Sequence, residues 1–545
     1  MRIGLAQINP TLGSLSQNAD KIIELSQSLA DRKCELAIFP ECALLGYHPF
    51  DLLERRELIA LQMSEMKRLI SKLPKKMGVI FGMITENPKK LGRPYFNSAI
   101  FVDDRKIKKV FHKQLLPTGD VFDEARFIEP GHLENNYVSF RGRKFFLTIC
   151  EDIWAWPDEM GRSPYGENPL KKVSKQKVDL VINLSASPYY PGKLKHRERM
   201  VAATAKNFKA PMVYANMVGG QDEIIFDGQS FAVDKKGQRF LNCAAFTEDS
   251  NVFDLDTQEV WTQNVPIDAT HELQQALVLG IRDFAQKTGL KRMLLGLSGG
   301  IDSALVLALA CDAMGPQNCL AVQMPGPFTA KLSIDVSRRM CQGLGVELRE
   351  ISIQNSFEQM SLDLRSQLKV DGTHVAFENL QARLRGINLM AISNVENRLL
   401  LATSNKDELA CGYATLYGDL CGGLAPIGDL TKGQIVTLSR WYNREHEVIP
   451  HEIIERPPTA ELRAGQKDQD SLPPYDQLDA SVRRIVEQCK PAKGPIDQFL
   501  LQALARTEFK RWQAPPILKV SEHAFGRGRR YPIAHRFFAK SEAGK

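Results

Sequence analysis

Met293-Leu294-Leu295-Gly296-Leu297-Ser298-Gly299-Gly300-Ile301-Asp302-Ser303 joins a short apolar run to a helical pattern, and the fold class is read outward from it. The apolar run reads as a buried strand over 293–297. Ala304-Leu305-Val306-Leu307-Ala308-Leu309-Ala310 reads as a helix buried on most sides, closed by Gly315-Pro316. Two glycines and two serines between a strand and a helix start make a phosphate cradle. Backbone N–H groups approach the anion, the helix N-terminus favours negative charge, and Ser298 and Ser303 add donors. Asp302 repels bare phosphate, so its presence calls for a divalent cation, most simply Mg²⁺, between it and the phosphates. No Gly-x-x-x-x-Gly-Lys-Ser/Thr occurs anywhere, which removes the main support for a kinase or GTPase.

The same grammar continues on both sides. A helix over 271–287 ends before Gly289. After the loop and its helix come a strand at 319–324, a helix at 334–344 capped by Gly345, and a strand at 346–353. This βαβ repetition predicts a doubly wound parallel sheet with its ligand at the strand C-termini. The first half alternates strands at 2–8, 36–39, 79–84, 98–102, 107–111, 145–149, 180–184 and 212–215 with helical stretches such as 21–30, so it is a layered α/β domain. Acidic, polar text around 247–268 lacks helical periodicity. The predicted division is 1–250, a linker at 251–270, and 271–545.

Bulk properties agree. At 545 residues the chain exceeds one ordinary core. Its 43% hydrophobic and 25% charged residues are those of a soluble globular protein. No apolar run reaches the roughly 20 residues that span a bilayer. With no signal peptide and ten scattered cysteines lacking any Cys-x-x-Cys pair, a reduced, cytoplasmic setting is expected, without zinc. A net charge of +7 permits anionic substrates without calling for nucleic acid.

Three residues of the first half stand at strand ends: Glu41 after Phe39-Pro40, Lys113 after Phe111-His112, and Cys150 after Leu147-Thr148-Ile149. Singly, each has an ordinary structural reading, as a small buried residue or a solvated loop charge. Together they suit amide chemistry: Glu41 takes the thiol proton, Cys150 attacks, and Lys113 stabilises the oxyanion. Their settings, Phe39-Pro40-Glu41, His112-Lys113-Gln114-Leu115-Leu116-Pro117 and Ile149-Cys150-Glu151-Asp152-Ile153-Trp154, resemble the three motifs of the nitrilase (carbon–nitrogen hydrolase) superfamily. Phe226-Asp227-Gly228-Gln229-Ser230-Phe231 fits it too. The Ser298–Ser303 loop resembles that of the N-type ATP pyrophosphatases.

Both in one chain resemble the glutamine-dependent NAD⁺ synthetase family over essentially the whole length. The resemblance implies a nitrilase-like α-β-β-α sandwich followed by an ATP pyrophosphatase domain. A glutaminase would feed ammonia through a channel to ATP-dependent amidation of deamido-NAD⁺, within a homo-oligomer paired through the synthetase domain. It also implies that Ser187 and Lys193 hold glutamine. Where the family often has Asn-Tyr after Leu-Pro, this chain has Thr118-Gly119-Asp120, so Gly119 offers glutamine only its backbone. Gly296, Leu297, the loop from Ser298 to Ser303 and Thr403 fall to ATP. Asn379, Glu408 and Lys519 fall to deamido-NAD⁺, and Asp302 with Glu408 to Mg²⁺. The basic tail Lys519…Arg527-Gly528-Arg529-Arg530 is expected to meet phosphates of the dinucleotide or of pyrophosphate. Two rival readings stand beside this one. One is an ATP-pyrophosphatase amidotransferase with a different acceptor; the other is a nucleotide-sensing scaffold that has lost catalysis.

Overall fold

Alternation builds the first half of the chain. Leu36 and Ile38 enter one core while Ala37 and Phe39 enter another, and Phe145, Leu147 and Ile149 face opposite to Phe146. These inner strands are therefore apolar on both faces and must be covered twice. The computed structural model, which describes residues 1–89, 91–158, 160–260, 268–371 and 373–535, does this with two six-stranded mixed sheets. One runs Asp249–Asp254, Arg2–Gln7, Leu36–Ile38, Gly78–Glu86, Tyr95–Asp103, Lys106–His112. The other runs Arg239–Asn242, Phe231–Val233, Met212–Asn216, Leu180–Ser185, Arg143–Ile149, Tyr137–Phe140. Their inner faces share one core, from Ile3, Leu5 and Phe101 to Leu147, Ile182 and Val213. Helices Leu15–Asp31 and Arg56–Lys72 cover the first sheet, and Lys193–Phe208 covers the second. The result is an α-β-β-α sandwich. A one-residue slip would exchange inner and outer side chains, so both cores hold the register.

Two units divide at Ile267 and Asp268. The linker expected at 251–270 needs correction. Residues 249–254 form an antiparallel edge strand on Arg2–Gln7, with Phe253 opposite Ile3, and Phe253 bridges Val260. Edge polarity hid the strand: Asp249, Ser250 and Asp254 are half-exposed while Val252 and Phe253 are buried. Residues 261–267 lie outside the described residues.

The second unit carries a four-stranded, wholly parallel sheet in the order Glu347–Glu350, Cys319–Gln323, Met293–Gly296, Leu399–Leu401. The chain winds outward from Met293–Gly296 and then returns to its other side. That strand pair is the topological switch point, where the strand C-termini leave a crevice. Gly315 and Gly345 end their helices as expected. Among the described residues, no helix is long and apolar enough to cross a membrane.

Candidate active sites

In the first unit, the ends of three strands bring Glu41, Lys113 and Cys150 together. Glu41 and Lys113 are fully buried, and Cys150 is nearly so. Glu41 Oε1 accepts from Lys113 Nζ at 2.8 Å and Asn97 Nδ2 at 2.7 Å, and its Oε2 accepts from the Ala186 N–H at 2.8 Å. Gly82 lets the turn that carries Glu41 pass close by, since a Cβ there would lie 2.3 Å from the Cys42 nitrogen. Cys150 has a left-handed φ of 43° and opens a tight turn over Cys150–Ile153. Asp152 holds that turn. Its carboxylate accepts from Ile149 N–H at 2.8 Å and from Gln114 and Leu115 N–H at 2.9 Å each, tying the cysteine turn to the segment after Lys113.

A second carboxylate completes the cluster. Glu124 Oε1 accepts from Lys113 Nζ at 2.8 Å and from the Tyr47 hydroxyl at 2.7 Å. Burial by itself would lower the Lys113 pKa, but Glu124 and Glu41 together hold it well above the usual lysine range. Burial raises Glu41, with Lys113 opposing and Glu124 adding. Burial and then Glu41 push the Cys150 thiol well up, with Lys113 opposing. The resting cysteine is thus a neutral thiol beside a carboxylate of raised proton affinity, which suits transfer of that proton as substrate arrives. Two of the three Lys113 N–H donors are committed to carboxylates, leaving one for a substrate oxygen.

The expected glutamine residues sit differently from one another. Lys193 Nζ lies 3.9 Å over the ring of Trp154, which closes the cysteine turn. Ser187 is buried and locked: Arg197 donates to its hydroxyl at 3.1 Å and its carbonyl at 2.8 Å, and also pairs with Asp227. Gly119 is exposed on the loop between Lys113 and Glu124, with open space where a side chain would be.

In the second unit, a cavity of about 350 Å³ opens at the switch point. Gly296, Leu297, Ser298, Gly300, Ile301, Asp302, Ser303, Thr403 and Glu408 all line it. Gly299 shapes the loop from behind: its φ is +78° and a Cβ would lie 2.6 Å from the Ser333 carbonyl. Ser303 Oγ donates to the Gly300 carbonyl at 3.0 Å and lies 3.1 Å from Ser298 Oγ. No side chain caps helix Ile301–Met314, so its first N–H groups remain for an anion. Arg456 pins the loop by donating to the Gly299 carbonyl at 2.7 Å and to Ser333 Oγ at 2.8 Å.

Asp302 and Glu408 do converge, and Lys432 stands between them. Its Nζ is 2.6 Å from Asp302 Oδ2 and 3.6 Å from Glu408 Oε1, while Asn405 Nδ2 donates to Asp302 Oδ1 at 3.2 Å. Burial pushes the Glu408 carboxyl up to about 8, with Lys432 opposing and Asp302 and Asp468 adding. Among the described residues, no three His, Cys, Asp or Glu side chains form a protein-only metal cage. Two converging carboxylates fit magnesium, which takes one or two from the protein and the rest of its oxygens from phosphate and water.

Asn379 and Lys519 are not in the cavity lining. Asn379 Oδ1 accepts from the Thr415 hydroxyl at 2.8 Å. Lys519 is buried and donates to the Ser521 carbonyl at 2.7 Å, in a segment whose Val520 and Ser521 N–H groups bond Asp429. Arg529 turns inward onto Glu508 at 3.3 Å and over the Phe525 and Tyr531 rings. This arginine of the basic tail therefore has a packing role, because two aromatic rings and a buried carboxylate offer it more than solvent does.

Comparison with known proteins identifies both halves. The carbon–nitrogen hydrolase family matches residues 2–263, and the NAD synthase family matches residues 273–514. A glutamine-dependent NAD(+) synthetase of Synechocystis is 42% identical over 98% of this chain and 99% of its own. The chain belongs to the glutamine-dependent NAD⁺ synthetases. A Thermotoga maritima synthetase is 37% identical over 98% of the chain and 99% of its own. The solved Acinetobacter baumannii synthetase, in complex with ADP, aligns with a TM-score of 0.77 at 34% identity over 98% of both chains. The Cytophaga hutchinsonii synthetase shares the fold, with a TM-score of 0.83 at 20% identity over 99% and 98% of the two chains. As members of this family are ligases joining two such units, a different acceptor and a non-catalytic scaffold both lose their ground.

Residue patterns alone missed Glu124, Asp152, Asn97 and Lys432. Glu124 sits in Asp123-Glu124-Ala125-Arg126, which reads as a solvated turn. Lys432 begins a helix after Thr431, whose capping box with Gln434 is legible while the lysine's inward direction is not.

Proposed function

We propose that the first unit hydrolyses glutamine at Cys150 and that the second uses the ammonia to amidate deamido-NAD⁺ through an acyl-adenylate. The buried Glu41–Lys113–Glu124 cluster beside Cys150 is the observation that carries the first half. Glu41 removes the thiol proton, and sulfur attacks the side-chain amide carbon of glutamine. The free Lys113 N–H stabilises the tetrahedral oxyanion. Glu41 returns the proton to the departing ammonia, then activates the water that cleaves the thioester to glutamate. Lys193 beside Trp154, Ser187 and the Gly119 backbone are assigned to the glutamine backbone groups.

Lys113→Met should lower the glutaminase kcat by roughly a hundredfold or more, the scale of one preorganised donor. Glutamine KM should change less, because the charge Lys113 meets develops in the transition state. Two carboxylates left buried without their cation should also cost about 3–5 kcal/mol of stability. Steady-state kinetics and thermal melting check both. A KM rise at unchanged kcat would make Lys113 a substrate anchor instead.

In the second unit the nicotinate carboxylate attacks the α-phosphorus of ATP, and ammonia then displaces AMP from the adenylate. Ser298, Gly299, Gly300 and the N–H groups opening helix Ile301–Met314 bind the leaving pyrophosphate, with Thr403 on the facing strand end. Lys432, bridging Asp302 and Glu408, directs positive charge to the same place. Asp302 and Glu408 would hold Mg²⁺, which supplies charge neutralisation on the phosphates. Asn379, Glu408 and Lys519 are assigned to the dinucleotide on the family motif. Nicotinate carboxylate labelled with ¹⁸O tests the adenylate: one labelled oxygen should pass into AMP. Label that stays out of AMP would refute that intermediate.

All ten cysteines are free thiols, which supports a reducing, cytoplasmic setting. Helices Gln354–Leu368 and Val375–Glu396 leave Leu362, Ile387 and Val395 64%, 63% and 85% exposed. Ile387 and Val395 share one helix face, and we assign that face to a second copy of the chain. Sedimentation equilibrium should show a homo-oligomer that Ile387→Asp with Val395→Asp breaks to a smaller species. An unchanged mass would move the interface elsewhere.

A further inference from the structure

Beside the glutaminase cluster lies a small space of about 10 Å³, lined by Cys42, Tyr47, His48, Asn97, Asp123 and Glu124 among others. That is the scale on which a cavity admits a single water, roughly 10–15 Å³. Two of these lining residues carry a buried polar atom with no hydrogen-bond partner among the described residues: His48 at Nε2 and Glu124 at Oε2. They are complementary. The Phe50 N–H donates to His48 Nδ1 at 3.3 Å, and the two rings stack at 4.0 Å with a 5° tilt. Nδ1 is therefore the acceptor of the imidazole, which puts the proton on Nε2. His48 is only 4% exposed, and burial pushes its pKa down to about 4, so the ring is neutral. Glu124, 3% exposed, uses Oε1 for both Lys113 and Tyr47, and Oε2 is left as an acceptor.

We propose that one water molecule sits in this space, accepts from His48 Nε2–H and donates to Glu124 Oε2, and that His48 thereby acts as a positioning residue for glutamine hydrolysis. The proposal rests on the glutaminase reading of the cluster. The Glu124 carboxylate is anchored through a single oxygen, Oε1. With Oε2 unbound the carboxylate can rotate about its terminal bond, and Lys113 Nζ follows it. With Oε2 held, Lys113 keeps two N–H groups on Glu41 and Glu124 and presents the third in a fixed direction. His48 touches no reacting atom. It acts through water, Glu124 and Lys113 in turn, as a chain of hydrogen bonds that stiffens one donor.

A wild-type crystal structure at a resolution that defines waters, together with two variants, tests this. Density for one ordered water should lie within hydrogen-bond distance of both His48 Nε2 and Glu124 Oε2. His48→Phe keeps the ring stacked on Phe50 and removes the donor. It should lower the kcat for glutamine hydrolysis about three- to tenfold, the range of one net hydrogen bond, with KM changed less than about twofold. His48→Gln, whose amide N–H reaches the position of Nε2, should recover most of that loss. An empty space in the wild-type density would overturn the proposal, and that result does not depend on either variant folding. A His48→Phe enzyme with unaltered kcat, or His48→Gln no better than His48→Phe, would overturn it equally. Failure of the glutaminase reading is separately visible, because Cys150→Ala would then still use glutamine.

Discussion

Cys150→Ala should abolish NAD⁺ synthesis driven by glutamine while synthesis from added ammonium salts continues at near its original rate. The thiol is the group placed to form the thioester. Cys42 is close enough to share the field of Glu41 and Lys113, but its Sγ is turned to Asn97 Oδ1 at 3.9 Å, and burial and then Glu41 raise its pKa well above the ordinary range. Glutamine-dependent turnover should therefore fall by the whole contribution of covalent catalysis, to the limit of detection. Ammonia enters at the second unit and needs none of this. NAD⁺ formation measured side by side with the two nitrogen donors decides it. Equal loss with both would make Cys150 a structural residue, or would mean that the synthetase unit cannot act without an intact glutaminase.

Asp302→Ala should remove activity with either donor, by roughly a thousandfold, the upper scale for losing one preorganised electrostatic contact. Asp302 joins the phosphate loop to Asn405 and Lys432, so its loss releases the lysine from its place as well as removing an oxygen for magnesium. The concentration of Mg²⁺ needed for half-maximal rate should rise. Asp302→Asn keeps an acceptor for Lys432 without the charge. It should hold the local structure, visible as an unchanged melting temperature, yet remain nearly inactive. Ammonia-dependent turnover near normal in Asp302→Ala would contradict the assignment.

What could be read from the residues follows the distance over which each interaction acts. The Ser298–Ser303 loop is legible because its chemistry is local: strand, glycines, hydroxyls and helix start are contiguous. Glu41, Lys113 and Cys150 are legible because each ends an apolar strand and carries a motif around it. Glu124 and Lys432 reach their partners only in three dimensions. Lys432 stands 130 positions from Asp302, and nothing in Leu430-Thr431-Lys432-Gly433 marks its ammonium as directed inward. Asp152 was in view beside Cys150, but its role as acceptor of three backbone N–H groups depends on a turn geometry that letters do not carry. Arg529 shows the same dependence: in sequence it is one of a run of basic residues, and its packing between Phe525, Tyr531 and Glu508 appears only in three dimensions. Charged residues in a motif and charged residues in a brace are alike until their partners are known.

Glutamine labelled with ¹⁵N at the side-chain amide, incubated with the enzyme, ATP, Mg²⁺ and deamido-NAD⁺, tests the coupling of the two sites most directly. The label should appear in the carboxamide of NAD⁺, with one AMP and one pyrophosphate formed per NAD⁺, and both should vanish in Cys150→Ala. Formation of ADP and phosphate, or NAD⁺ without label, would contradict it.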